Sequence, residues 1–375
     1  MLVYWSLFFW TLIIFTWHSL SPRYVTINGI LEQRPNLSHL IIGFAPIIFF
    51  AGVKGRGIID SGAYIISFQR AQSSLQEMII DWESKAPGFN IIEVAFKDLV
   101  STNYVSWIFF LALISCIGIM IPLYKYSPLF GLSLYLFVAS AQFVWLLNGV
   151  RQFLVVAILF GFMDLIIERK HLKYLILVLI LSTIHITALI MIPVYLLIII
   201  SDRFKLLSWQ IFFPISVFMV FVLVTEQIEP IMAYLLEDTE YHDIYSRALT
   251  YEGVNIFRML AAAVPVLLML IDWNRISKLI TPEIKICIIM SVVNLGVLLV
   301  ASTVGGNLFG RISIFFAVYN LIALPWVITK CFNKKSSQVV TTLAIVFYAY
   351  WFYYQMVLGW NLPYTSEYLG IFLFN

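Results

Sequence analysis

Apolar residues run along this chain in long blocks, broken by short polar stretches. A helix needs about 20 apolar residues to cross a hydrocarbon core, with a range of roughly 17–25. Blocks of that kind fall at 2–20, 37–53, 105–123, 128–147, 152–167, 209–225, 254–272, 284–303, 312–329 and 339–358. They predict about ten transmembrane helices. One further block, 174–200, is 27 residues long and carries Ser182, Thr183, His185 and Thr187 near its middle, then Pro193. Two long polar stretches carry helical periodicity of their own. Residues 64–82 and 90–100, within 54–104, are amphipathic at helical spacing and predict surface helices. The acidic stretch 226–253 predicts the same.

Charge fixes the orientation. Short loops rich in Lys and Arg face the cytoplasm. Loops 168–173 and 201–208 are of this type, as are the stretches carrying Arg275, Lys278 and Lys285 and carrying Lys330, Lys334 and Lys335. Two of them flank 174–200, so that block must enter and leave by one face, as a re-entrant hairpin with His185 near its tip. Each arm of about 13 residues reaches about 20 Å, short of a roughly 30 Å core. A single long tilted helix is the other reading, and it breaks the charge parity downstream. With the hairpin, both termini lie outside. Cytoplasmic regions then hold 14 of the 23 Lys and Arg and 6 of the 20 Asp and Glu. Trp82, Tyr234, Tyr241, Tyr245 and Tyr251 suit either an interfacial belt or stacking on sugars.

Composition narrows the class. Hydrophobic residues make up 62% of the chain and charged ones 11%, against about 45–50% and 25% in soluble domains. A water-soluble enzyme, a disordered segment and a nucleic-acid binder are excluded. The three cysteines, Cys116, Cys287 and Cys331, sit in or beside apolar runs and read as small hydrophobes. The first residues lack a basic n-region and a cleavage site, and read as a retained first span. No metal-ligand spacing, Walker loop or dinucleotide fingerprint occurs, so no metal and no cofactor are expected. The whole chain reads as one integral membrane domain.

The polar residues at predicted outer helix ends carry the candidate chemistry, because charge at membrane depth is costly. Lys54-Gly55-Arg56-Gly57 and Asp60 to Tyr64 form a Gly-rich stretch in which Arg56 suits phosphate and Asp60 suits a base or a sugar hydroxyl. Its bland reading is a turn with Arg56 and Asp60 paired. Asn148-Gly149-Val150-Arg151-Gln152 is a tight turn. Arg151 is there for an anion or snorkels to headgroups. His185 is a proton-transfer group or a helix–helix hydrogen-bond partner. Arg258 and Arg311 sit at outer helix ends with no acid close in sequence, suited to pyrophosphate or to ordinary lipid.

Taken in order, these pieces resemble the EpsG family of polysaccharide polymerases, relatives of Wzy-type O-antigen polymerases. The resemblance rests on Arg56, Asp60 and Tyr64, on Pro87-Gly88-Phe89, on Asn148 to Gln152, and on His185 to Tyr195. It continues through Arg311-Ile312-Ser313 and Phe315-Phe316 with Pro325, to Pro363-Tyr364. Two positions depart from the family pattern. Ile58-Ile59-Asp60 stands where Gly-Thr-Asp is common, and the acid expected beside Pro-Gly-Phe is Glu83, four residues upstream of Pro87.

The resemblance implies a GT-C-like plasma-membrane glycosyltransferase with an outward-facing site, making an exopolysaccharide, capsule or O-antigen from undecaprenyl-pyrophosphate-linked repeat units. Under it, Asp60 and His185 are candidate catalytic residues. Arg56, Arg151, Arg258 and Arg311 are candidate pyrophosphate ligands, and Tyr64, Asn148, Gln152 and Tyr364 contact sugars. A flippase and a chain-length regulator of the same pathway are the expected protein partners. The rival readings are a carrier of lipid-linked sugars, a glycosyltransferase using a prenyl-monophosphate sugar, and a non-catalytic scaffold. A carrier should show an internal repeat. The monophosphate enzymes often carry an acidic pair in the first external loop. Neither feature is present here.

Overall fold

The computed structural model describes residues 1–27, 30–58, 60–203, 254–303 and 306–372. The predicted span 209–225 and external stretch 226–253 lie outside the described residues, as do Tyr234, Tyr241, Tyr245 and Tyr251. The chain divides into two compact units, residues 1–192 with 344–375, and residues 193–343.

In the first unit the long apolar blocks become helices α1 (Leu2–Leu20), α2 (Leu37–Gly52), α5 (Tyr104–Tyr126), α6 (Phe130–Ala139) and α7 (Val150–Gly161). Helix α6 is buried on every face, as expected of a helix apolar all round. It packs against α1, while α5 packs against α2 and α7. At the α5–α7 contact a Cβ on Gly118 would stand 2.4 Å from the Ala157 carbonyl oxygen. Small residues let these backbones close up. The 128–147 block is not one helix. It breaks at Ala141, which takes φ 60°, and continues as a 3-10 helix, Gln142–Leu146.

Two expectations need correcting. The chain is not wholly helical: β1 (Arg23–Ile27) and β2 (Ile30–Arg34) pair antiparallel between α1 and α2, with Arg23 opposite Arg34. The sequence between them is Asn28-Gly29, the strongest short hairpin signal. The helix predicted over 64–82 is also shorter. It is α3 (Ser61–Arg70). It stops because Lys97 Nζ donates to the Phe68, Gln69 and Ala71 carbonyls at 3.1, 3.1 and 2.5 Å, satisfying acceptors that end a helix. Residues 71–86 have no regular structure. The second amphipathic segment forms α4 (Pro87–Leu99), with proline at its first turn. Both helices are held to α5 by Trp107, fully buried. Its ring stacks on Phe68 at 5.5 Å and meets Phe89 and Phe96 at 5.6 and 5.2 Å.

After α7 come α8 (Asp164–Ile167) and α9 (His171–Ser182), then a break at Thr183–His185, a 3-10 turn (Ile186–Ile190) and α10 (Met191–Arg203). The 174–200 block is interrupted where its polar residues stand.

The second unit contains α11 (Ile256–Leu270), α12 (Trp273–Ile276), α13 (Pro282–Thr303), α14 (Gly306–Ile312), α15 (Ile314–Ala317) and α16 (Asn320–Cys331). Helices α11, α13 and α16 pack on one another. Helix α17 (Lys334–Tyr353) leads back into the first unit and ends in a π turn, Tyr354–Gly359. Phe352 stacks on Phe8 of α1 at 4.8 Å.

Among the described residues, Leu2–Leu20, Tyr104–Tyr126 and Pro282–Ser302 are long and apolar enough to cross a membrane. A fourth span exists if Phe309–Ala317 and Asn320–Cys331, bent by 52°, act as one. Leu37–Gly52, Phe130–Ala139, Val150–Gly161, His171–Ser182 and Ile256–Leu270 are apolar but shorter, and α17 is long enough but less apolar.

Candidate functional site

Three stretches far apart in sequence meet around the N-terminus of α7. Lys54 follows α2 and is 3% exposed. Its ammonium donates to the Leu146 and Leu147 carbonyls at 2.5 and 3.1 Å. Ser61 Oγ donates to the same Leu147 carbonyl at 3.1 Å. The Gly-rich loop is thereby tied to the turn that carries Asn148 and Gly149. Burial pulls the Lys54 ammonium down to about 7, with the Asp60 carboxylate pulling the other way.

The C-terminal segment braces this loop from behind. Gly55 N–H donates to the Thr365 carbonyl at 2.7 Å, and Ser366 Oγ donates to the Val53 carbonyl at 2.5 Å. Tyr364 is 5% exposed and its hydroxyl donates to the Phe50 carbonyl at 2.7 Å. Its ring is edge-on to Phe50 and Tyr4. Tyr364 therefore lies in the packed interior, apart from the surface residues of the site.

Gly149 caps α7 with φ 78°, a conformation that suits glycine and strains other residues. The turn delivers Arg151 to the first turn of the helix, where backbone N–H groups and the dipole favour an anion. The Arg151 guanidinium carbon stands 5.8 Å from the Tyr64 ring centroid and 5.7 Å from that of Phe89. Those rings hold a cation by their π faces. Arg151 Nε and Asn148 Oδ1 are buried without a hydrogen-bond partner.

A fourth stretch joins from the break after α9. Gly88 N–H donates to the Thr183 carbonyl at 3.0 Å. A Cβ on Gly88 would stand 2.0 Å from Thr183 Oγ1, so glycine is required by the approach itself. Gln152, 3% exposed, donates to Thr187 Oγ1 at 3.5 Å, and the same oxygen lies 2.7 Å from His185 Nδ1. His185 thus connects to the Arg151 turn through Thr187.

Glu93 belongs to this neighbourhood and was not singled out from the sequence. It lies on α4 and is 2% exposed. Ser67 Oγ donates to its Oε2 at 2.9 Å, while Oε1 has no hydrogen-bond partner. Burial pushes its carboxyl up to about 7, against the Ser67 hydrogen bond and the charges of Lys97 and Arg151. A signal was present: Phe89, Glu93 and Phe96 fall at i, i+4 and i+7, on the face that α4 buries. Glu93 lines an open cleft of about 390 Å³ beside α3 and α4.

The other arginines are placed differently. Arg56 is not held by Asp60. Its Nε lies 3.7 Å from Glu367 Oε1, its Nη2 donates to Gln69 Oε1 at 3.3 Å, and both groups are about half exposed. In the second unit, Arg258 Nη2 donates to the Gly310 carbonyl at 2.6 Å and to Ser313 Oγ at 3.0 Å. It fixes the corner that carries Arg311, which is exposed. Among the described residues no group of three His, Cys, Asp or Glu side chains could hold a metal ion.

No curated protein and no solved structure matches the chain. Residues 38–366 match the EpsG family, and that range includes the Lys54 loop, α3, α4, the Arg151 turn, His185 and the Arg258–Arg311 corner. With its long apolar helices, the protein is a membrane protein that belongs to the EpsG family, a Wzy-like family of polysaccharide polymerases.

Proposed function

We propose that this protein joins lipid-linked oligosaccharide repeat units into a polysaccharide on the outer face of the plasma membrane, as an inverting glycosyltransferase. The donor is a growing glycan on undecaprenyl pyrophosphate, and the acceptor is a single repeat unit on the same lipid. The gathering of four sequence motifs around the Arg151 guanidinium is the observation that carries this reading. An acceptor hydroxyl attacks the anomeric carbon of the donor's reducing-end sugar. The carbon–oxygen bond to pyrophosphate breaks, and its electron pair leaves with the phosphate oxygen. Negative charge grows on that oxygen in the transition state, so a fixed cation there lowers the barrier.

Arg151 fits this task because it is oriented by two rings, sits at a helix N-terminus and keeps an unsatisfied Nε. Arg56, at the rim, is suited to a second phosphate. In the second unit, Arg258 orients the corner and the exposed Arg311 is suited to lipid phosphate. Tyr64 and Asn148 would line the sugar path, while the buried Gln152 ties the turn to Thr187. Guanidinium groups supply the charge that a metal supplies elsewhere. Asp60 and His185 are the base candidates from sequence, and Glu93 is added by the fold.

The test uses purified membranes with the native lipid-linked repeat unit as sole substrate. A ladder of longer glycans, made without nucleotide sugar or ATP and lost in Arg151→Ala, supports the reading. Transport of the intact unit across sealed vesicles without a ladder would refute it in favour of a carrier. Trapping a covalent glycosyl-enzyme would refute the inverting step.

A further inference from the structure

We infer that the cleft beside α3 and α4 receives a sugar ring of the acceptor unit, and that Glu93 takes the proton from its attacking hydroxyl. This inference rests on the polymerase reading above and adds to it the acceptor subsite and the base.

The cleft holds about 390 Å³, room for one or two sugar rings, and it is open at the surface. Its wall is mixed in the way a sugar requires. Ser67, Arg70, Asp81 and Asn90 offer donors and acceptors for hydroxyls, while Ile79 and Pro87 offer apolar surface for ring C–H groups. Ile79 and Ile80, both in the wall, are 84% and 38% exposed, so part of the cleft surface is apolar and accessible. The one carboxylate in the wall that is almost wholly buried is Glu93, and its Oε1 is unpartnered. A buried acceptor without a donor is costly. A sugar hydroxyl is a donor that would satisfy it, and a hydroxyl so bound would have its proton directed at a base.

The charges around Glu93 are consistent with that role. Lys97, one turn along α4, is engaged with the α3 carbonyls. Arg151 approaches from α7 and bears on Glu93 electrostatically. Arg70 on α3 and Asp81 in the following loop line the same cleft. Burial against these cations leaves the carboxyl titrating near neutrality, so the ionised form is present at physiological pH and is a strong enough base to accept a proton. The proton passes from the acceptor oxygen to Glu93, and that oxygen's lone pair forms the new glycosidic bond. The pyrophosphate oxygen takes the electron pair of the broken bond. Glu93 then releases its proton to water.

The experiment measures initial rates of ladder formation from pH 5.5 to 9, for wild type, Glu93→Gln and Ser67→Ala, in reconstituted full-length protein. Wild type should lose activity on an acid limb centred near 7. Glu93→Gln should slow the reaction by roughly 10²–10⁴-fold while keeping the fold, since an amide replaces a carboxyl of the same shape. Ser67→Ala removes the donor that favours ionised Glu93, so the acid limb should move to higher pH. A structural role for Ser67 would lower the rate without moving the limb. A wild-type ladder with full Glu93→Gln activity, or an acid limb that Ser67→Ala leaves in place, would overturn the assignment of Glu93. No ladder from wild type at any pH would overturn the polymerase reading itself.

Discussion

Replacing Lys54 with methionine separates two opposing effects that the structure places on one side chain. The ammonium is buried, and it donates to two carbonyls at the end of the 3-10 helix. Hydrogen bonds from a charged donor contribute about 1.5–3 kcal/mol each. Against them stands desolvation, which draws the group from 10.5 to about 7. At 1.36 kcal/mol per pH unit that difference is worth roughly 5 kcal/mol as an upper figure. The folded value lies below the unfolded one, so between the two the unfolded chain binds more protons. Stability from this group therefore rises as pH rises from about 7 towards 10.5. Near pH 7 the two effects roughly cancel, and Lys54→Met should be close to wild type in stability. Near pH 10 wild type should be the more stable by several degrees. The assay is thermal unfolding of both proteins in the same detergent, followed by intrinsic fluorescence at pH 7, 8.5 and 10. Taking the difference between them removes the tyrosines and cysteines that titrate in both. A difference that stays flat with pH would show that Lys54 is charged and solvated, and would refute the argument.

The other predictions concern the same neighbourhood. Gly88→Ala places a Cβ 2.0 Å from Thr183 Oγ1 and 3.1 Å from its carbonyl carbon. It should cost about 1–3 kcal/mol and lower polymerisation, and Thr183→Ala should restore only part of the loss, read as melting temperature and ladder rate together. Arg151→Lys keeps the charge but loses the guanidinium held between the Tyr64 and Phe89 rings. Its ladder rate should fall between those of wild type and Arg151→Ala, and a rate equal to wild type would remove the guanidinium–ring contact from the mechanism. Arg258→Met removes the donor that binds Gly310 and Ser313. A loss of roughly 3 kcal/mol is expected, against about 1 kcal/mol for Ser313→Ala, in chemical unfolding. An Arg258→Met protein of full stability that polymerises nothing would point to direct phosphate binding instead.

Among the described residues, the hydrophobic blocks foretold where the apolar helices lie, because a helix satisfies its own backbone and apolar length is read directly from sequence. They did not foretell the break at Ala141, inside the block 128–147. A break depends on what the neighbouring segment offers to the freed backbone groups. The end of α3 is the clearest case: periodicity carried the helix to residue 82, whereas Lys97, 27 residues beyond Arg70, stops it at Arg70. The hairpin 23–34 carries its signal in Asn28-Gly29, a two-residue cue too short to register in the hydrophobic pattern of the flanking spans.

Residue chemistry and order were enough to mark Asp60, Tyr64, Arg151 and His185, and to suggest the family. That is information carried by local spacing, which survives without coordinates. Distances between motifs are not carried that way. Only the fold laid Tyr64 and Phe89 against Arg151 and gave Lys54 to the Leu146 and Leu147 carbonyls. Only the fold turned Tyr364 inward and Glu93 into a cleft. Whether a polar side chain is a solvated face, a brace or a reactive group is decided by what surrounds it. Burial and unmet hydrogen bonds arise from contacts between segments dozens to hundreds of residues apart.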